Sequence, residues 1–189
     1  MKIGLYFGSF NPIHYGHLNI AEEIYNHTDL DEIQFVVSPQ NPHKKITELI
    51  SIKHRIKMVE IATKNCCYIN VNKIETTLPK PSYTYDTLQA LKKLHPTNQF
   101  SIIMGDDNLV KLDSWKESTY LKSHYKFYVY PRHNETQTIK ENENIEFLKL
   151  PKIEISSTSI RTKIRLNNKY QFVTHPEVVD YIKQYNLFS

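Results

Sequence analysis

Glycine is scarce in this chain, with four among 189 residues: Gly4, Gly8, Gly16 and Gly105. That scarcity excludes both common phosphate-binding fingerprints. No Gly-Lys-Ser/Thr follows any of them, so there is no Walker loop, and none forms the Gly-x-Gly-x-x-Gly of dinucleotide-binding folds. Cysteine is scarcer still. Cys66 and Cys67 are adjacent, which suits neither a disulfide framework nor a metal-ligand pattern. Two free thiols and a reducing cytoplasm are therefore expected. No apolar run approaches the ~20 residues that a membrane span needs, so no membrane partner is expected. The opening "MKIGLYFGSF" has a short apolar run cut off by Gly8 and by Asn11-Pro12, and reads as a first strand rather than a signal peptide.

The remaining composition, 40% hydrophobic and 23% charged, is that of an ordinary soluble globular protein. The length suits one domain over residues 1–189 with a sizeable core, and no repeat, low-complexity tract or linker divides it. The net charge of +4 is unevenly spread: residues 41 to 80 carry eight Lys/Arg against three Asp/Glu. Such a surplus suits an anionic partner, a nucleic acid or a polyphosphate, although most of these lysines read as a solvated helix face.

Short apolar, β-branched or aromatic runs recur at 2–7, 32–38, 68–71, 100–104, 126–130 and 146–150. Helical spacing lies between most of them. Leu18, Ala21 and Ile24 share one face, Ile52, Ile56 and Val59 another, and Leu88, Leu91 and Leu94 a third. Strand and helix in alternation predict an α/β fold with a Rossmann-like, doubly wound parallel sheet. The polar stretch 133–146 reads as a loop with a short helix at most. Near the end, "THPE" predicts a helix with Thr174 as N-cap, Pro176 in the first turn and Glu177 as capping-box partner, running through Val178, Ile182 and Tyr185.

Two of the four glycines fall in "GSFNPIHYGH", residues 8–17. In a doubly wound sheet, ligands bind outside the carboxyl ends of the strands, where this stretch leads from the first strand into the first helix. Glycine there lets backbone approach a ligand, and free N–H groups at a helix start attract anions. Gly8 and Gly16 therefore suggest a phosphate cradle. His14 and His17 lie on the last loop residues and the first helical turn, so both can face one ligand. Imidazole titrates near neutral pH and becomes more cationic beside phosphate, which suits charge building on a phosphoryl group. A zinc pair is the alternative, but no third ligand stands at suitable spacing.

Six positions of this stretch, Gly8, Phe10, Pro12, His14, Gly16 and His17, resemble the nucleotidyltransferase superfamily whose signature is (H/T)-x-G-H. A second signature of such proteins is expected near the C-terminus, and "ISSTSIR" (155–161) resembles it. Ser156 or Ser157 would cap a helix start there, Ser157 and Thr158 would add hydroxyl donors, and Arg161 would supply a forked cation for phosphate. The resemblance implies that this turn binds the β- and γ-phosphates of ATP. It also implies that Gly8, Ser9, Phe10, His14, Gly16 and His17 border the same nucleotide.

Further segments resemble the bacterial nicotinate-nucleotide adenylyltransferase family: "PQNPHKK" (39–45), "RIKMVEIA" (55–62), "PSYTYDTL" (81–88) and "IMGDDNLVKLDSW" (103–115). A pantetheine-phosphate adenylyltransferase would be shorter and lack the 81–88 segment. The resemblance implies ATP and nicotinate mononucleotide as substrates, and deamido-NAD and pyrophosphate as products. Trp115, the single tryptophan, would stack on the nicotinate ring. Backbone N–H groups around Tyr83 and Thr84 would receive its carboxylate. At the end of the fourth strand Gly105 would let the ligand approach, and Asp107, or Asp106 in its place, would accept from ribose hydroxyls. Lys44 and Arg132, at the ends of the second and fifth strands, are candidate phosphate contacts on the nicotinate nucleotide. Mg²⁺ would arrive with ATP on its phosphate oxygens, without a dedicated protein cage. His14, His17 and Arg161 carry the expected catalysis. A basic nucleic-acid-binding module would explain the charge surplus but leaves both motifs without purpose, so no nucleic-acid partner is expected. Self-association is left open.

Overall fold

The computed structural model describes residues 1–40, 49–132, 143–151 and 154–189. The strands are β1 (Lys2–Gly8), β2 (Glu32–Val37), β3 (Ile69–Asn72), β4 (Gln99–Gly105), β5 (Lys126–Tyr130) and β6 (Ile145–Phe147). The α-helices are α1 (Tyr15–His27), α2 (Ile52–Thr63), α3 (Thr84–Leu94), α4 (Asp106–Leu109), α5 (Ser118–His124), α6 (Ser157–Arg165) and α7 (Pro176–Gln184). All strand pairs are parallel, in the order β3-β2-β1-β4-β5-β6. The chain winds outward from β1 to β3 and then returns to place β4 on the other flank of β1. This doubly wound sheet matches the expectation, and its switch point lies between β1 and β4, where such sheets open a crevice.

Alternate strand residues fill two cores, one on each face. Tyr6, Phe35, Ile103 and Tyr128 pack on one side with Ile20, Ala21 and Ile24 of α1, Met58 and Val59 of α2, and Val178 and Ile182 of α7. Leu5, Val36, Ile102 and Phe127 pack on the other with Leu88 and Leu91 of α3 and Leu121 of α5. Leu94 departs from the expected face. It is the last residue of α3, where the backbone leaves the helix at His95, and it stands in solvent. Among the described residues no helix is long and apolar enough to cross a membrane. Cys66 is half-buried, Cys67 is exposed, and both are free. Most of the stretch expected as a polar loop, 133–142, lies outside the described residues.

The C-terminal helix is capped differently from the expectation. His175, not Thr174, is the N-cap of α7, and its Nδ1 accepts from the Glu177 N–H at 3.3 Å. Thr174 is fully buried, and its hydroxyl donates to the Ile13 carbonyl at 2.8 Å. A longer-range tie takes precedence over a local cap here, and it holds the loop that precedes α1.

Arg55 performs a similar task on a larger scale. It sits on the inward face of α2 and is 1% exposed. Its guanidinium donates to the carbonyls of Ser9 at 2.8 Å, Ser38 at 2.7 Å, Pro39 at 3.0 Å and Ile50 at 3.1 Å. Burial lowers it to about 10, which leaves it charged at neutral pH. One planar cation thus ties the ends of β1 and β2 to the start of α2. Replacing it with methionine keeps volume but removes every donor. Arg55→Met is expected to destabilise the protein by about 3–5 kcal/mol, the scale for breaking a buried charged network. A urea unfolding midpoint unchanged from wild type would refute this.

Candidate active site

A cleft of about 620 Å³ opens at the carboxyl ends of β1, β4 and β5. The β1–α1 loop lines it with Gly8, Ser9, Phe10, Asn11, His14, Gly16 and His17. Phe10 has a left-handed backbone, φ 44°, and its ring turns back over Gly8. A Cβ at Gly8 would lie 2.6–2.9 Å from three carbons of that ring. The ring is buried and stacks on Phe35, centroids 5.1 Å apart, so it has nowhere to go. Glycine at position 8 is therefore required by Phe10 itself. This intramolecular reason stands beside the expected one, and Gly8 borders both the cleft and the smaller cavity described below.

His14 and His17 are brought together as expected. His14 is the N-cap of α1, His17 lies in its first turn, and their rings stack with centroids 3.7 Å apart. The His14 N–H donates to Nδ1 of His17 at 3.3 Å, which fixes the second ring against the helix start. Burial sets the charge state of His14 in the free protein. It is 4% exposed, and burial together with the nearby Arg132 charge lowers it from 6.5 to about 3. His14 is therefore a neutral imidazole at physiological pH in the free protein.

The second motif closes the cleft from above. Ser156 is the N-cap of α6, its Oγ accepting from the Ser159 N–H at 3.1 Å. Ser157 Oγ donates to the Pro12 carbonyl at 2.8 Å. Arg161 donates through Nη1 to the Asn11 carbonyl at 3.0 Å and through Nη2 to Thr158 Oγ1 at 3.3 Å. The hydroxyl proton of Ser157, expected for a ligand, goes to the loop instead. Ser156, Ser157, Thr158 and Arg161 all border the cleft, beside the β1–α1 loop.

Two neighbouring carboxylates follow β4 and differ in role. Asp106 is buried, and its Oδ1 accepts from the Arg132 N–H at 3.0 Å. Asp107 lines the cleft, with Oδ2 3.4 Å from Nη1 of Arg132. Of the two, Asp107 is the one that borders the cleft. A Cβ at Gly105 would lie 2.5 Å from Asp107 Oδ1 and 3.0 Å from Arg132 Cδ, so the absent side chain makes room for this pair. Arg132 borders the larger cleft. Lys44 lies outside the described residues.

On the other flank of the switch point is a smaller cavity of about 80 Å³. Tyr83, Thr84 and Trp115 line it, as does Gly105. Tyr83 is the N-cap of α3, so the backbone N–H groups of that first turn have no helical acceptor. Lys116 also lines the cavity, gripping Asp86 at 2.7 and 2.8 Å and sitting over the rings of Tyr83 and Tyr85. The two cavities share Tyr6, Phe7, Gly8, Asn108 and Tyr130. At that shared wall Tyr6 donates its hydroxyl to Tyr130 at 3.1 Å, and burial keeps both phenols neutral. Tyr6, Tyr130, Asn108, Lys116 and Glu75 border these cavities without having been singled out from sequence. The tyrosines sit inside apolar strand runs, where alternation reads a cleft-lining phenol as core. Among the described residues no group of three or more His, Cys, Asp or Glu is placed to hold a metal ion.

The neutrality of His14 has a measurable consequence. Its folded value of about 3 lies below the ordinary 6.5. The stability contributed by burying it neutral is complete above pH 6.5 and is lost progressively as pH falls toward 3. Imidazole nitrogen shifts followed by NMR should therefore show His14 still neutral at pH 5 in the free protein; a midpoint near 6.5 would contradict the burial argument.

Comparison with known proteins agrees with this fold. A cytidylyltransferase-like family model matches residues 5–163. A Flavobacterium johnsoniae protein named "Probable nicotinate-nucleotide adenylyltransferase" is 42% identical over 192 residues, covering 100% of both chains. One of Bacteroides thetaiotaomicron is 37% identical, covering 98% of this chain and 92% of its own. Among solved structures, the Plasmodium falciparum nicotinic acid mononucleotide adenylyltransferase complexed with NaAD has a TM-score of 0.81 at 26% identity, covering 99% of this chain and 97% of that one. The same enzyme complexed with APC has a TM-score of 0.80 at 27% identity, covering 99% and 96%. The doubly wound sheet, the paired histidines facing the α6 turn and whole-length identity near 40% lead to one assignment: the chain belongs to the nicotinate-nucleotide adenylyltransferases of the cytidylyltransferase-like family.

Proposed function

We propose that the protein transfers the adenylyl group of ATP to nicotinate mononucleotide, yielding deamido-NAD and pyrophosphate, by direct in-line attack without a covalent intermediate. The observation that carries this reading is the pair of unequal cavities meeting at a shared wall. ATP occupies the larger, bordered by both motifs, and the pyridine ring occupies the smaller, against Trp115 and the start of α3. The Plasmodium falciparum structures with NaAD and APC support small-molecule occupants of this class.

The acceptor's 5′-phosphate is already anionic at neutral pH, so attack on the α-phosphorus needs no general base. Catalysis is then positioning and stabilisation of charge. His14 and His17 contact the α-phosphate. Arg161, Thr158 and the N–H groups of the α6 turn hold the departing pyrophosphate. Asp107 accepts from a ribose hydroxyl. Lys44 and Arg132 contact phosphate on the nicotinate nucleotide. Mg²⁺ bound to the phosphate oxygens of ATP would offset their charge.

A pyrophosphate-release assay with ATP and a panel of acceptors tests the reading. Nicotinate mononucleotide should exceed its amide by about 10- to 150-fold in kcat/KM, since loss of a hydrogen bond to a charged group costs roughly 1.5–3 kcal/mol. Equal values for the two, or faster turnover of phosphopantetheine, would reject the acceptor. His17→Ala should lower kcat by about 10²–10³-fold with little change in KM, the usual loss for one positioned transition-state donor. Unaltered turnover would remove His17 from the chemistry.

A further inference from the structure

The smaller cavity contains an ionisable group with no part in the chemistry above. Glu75 lies in a 3₁₀ turn, Ile74–Thr76, just after β3, and is 1% exposed. Its Oε1 accepts from Thr87 Oγ1 of α3 at 2.9 Å. Its Oε2 is buried without a hydrogen-bond partner among the described residues, and so is the hydroxyl of Ser82. Both residues line the cavity, together with Ser38, Tyr83 and Thr84. A buried carboxyl oxygen with no donor is an expensive arrangement that calls for an explanation. The groups around it are few. Thr87 comes from α3, Ser38 from the end of β2, and Ser82 from the segment before α3. The other ionisable groups lining the cavity are Tyr6, Tyr83, Tyr85, Tyr130 and Lys116, and the Lys116 ammonium is engaged by Asp86.

Building on the acceptor assigned above, we propose that Glu75 takes up a proton as the ring carboxylate enters this cavity, so that Oε2–H donates to the incoming anion. Two carboxylates confined to a site this small cannot both stay ionised, and they share one proton. The proton resides on Glu75, because a carboxyl on a cationic pyridinium ring is much the stronger acid. Burial pushes the Glu75 carboxyl up, and the hydrogen bond from Thr87 opposes it. The amide analogue carries no charge and makes no such demand. Glu75 is thus a specificity-determining residue whose proton follows the charge of the ring substituent.

Calorimetric titration at pH 7.5 in buffers of different ionisation enthalpy counts protons taken up on binding. The 5′-phosphate is common to both nucleotides, so its contribution cancels between them. Wild type should take up about one proton more per site with nicotinate mononucleotide than with its amide. Glu75→Gln keeps the acceptor for Thr87 and cannot titrate, so this difference should vanish in it. If only the acid binds measurably, the same comparison is made between wild type and E75Q with that ligand. Equal uptake for acid and amide in wild type, or a difference that persists in E75Q, overturns the proposal and leaves the acceptor assignment standing. Binding of neither nucleotide overturns the acceptor and this inference together.

Discussion

Five consecutive residues, Ser9 to Ile13, belong to no helix or strand, yet much of this segment is buried. Buried carbonyls must find donors. Four of the five receive one from a distant side chain: Ser9 from Arg55, Asn11 from Arg161, Pro12 from Ser157 and Ile13 from Thr174. The rest of the site depends on this constraint. The loop carries Gly8 and Phe10 at one end and His14 at the other, so its fixed path places the histidine pair. Two of the four donors belong to the second motif, at separations of 145 and 150 residues along the chain. The motifs are therefore a single mechanical unit, and displacing α6 would displace the histidines with it.

The same economy governs the wall between the cavities. Tyr6 and Tyr130 lie at the ends of β1 and β5, and Asn108 lies in the short α4 after β4. All project from the carboxyl edge of the sheet. An α/β sheet offers reactants fixed positions on its two flanks only at the switch point. Substrates held in the two cavities would meet over β1, next to the His14–His17 stack. Side chains mounted on a rigid sheet edge keep such a meeting point within the tolerance that positional catalysis requires.

Much of this was legible in the sequence. The strands are buried on both faces, so they announce themselves as apolar runs, and the paired histidines and the Ser-Ser-Thr turn singled out by their motifs border one cleft. Arg55 was legible in principle, because spacing from Ile52 and Val59 puts it on the inward stripe of α2, where a charge must have buried partners. Other features had no local signal. Thr174 looks like a cap because "THPE" is a good capping sequence, and only the loop 161 residues earlier explains why its hydroxyl turns away. The lowered value of His14 depends on burial and on Arg132, neither of which spacing reveals. Glu75 sits in an irregular turn with no periodicity to mark it as buried. The intramolecular need for Gly8 had no signal, because Phe10 follows a left-handed backbone that sequence does not announce.

The charge of the cleft does not come from the lysine surplus of residues 41–80. Most of those lysines read as a solvated face, and Lys53, Lys57, Lys64, Lys73 and Lys80 are indeed exposed, Lys64 and Lys73 pairing with Glu177 and Glu60. Among the described residues bordering the larger cleft, the cations are Arg132 and Arg161, and the one carboxylate is Asp107, which meets Arg132. Asp106, next in sequence, turns inward to the Arg132 backbone. The phenols at the shared wall stay neutral, and so does His14. No uncompensated negative charge among these residues faces the space where phosphates would meet. A site that must hold several phosphate groups side by side gains more from excluding rival anions than from adding mobile surface lysines, whose charge water and salt already screen.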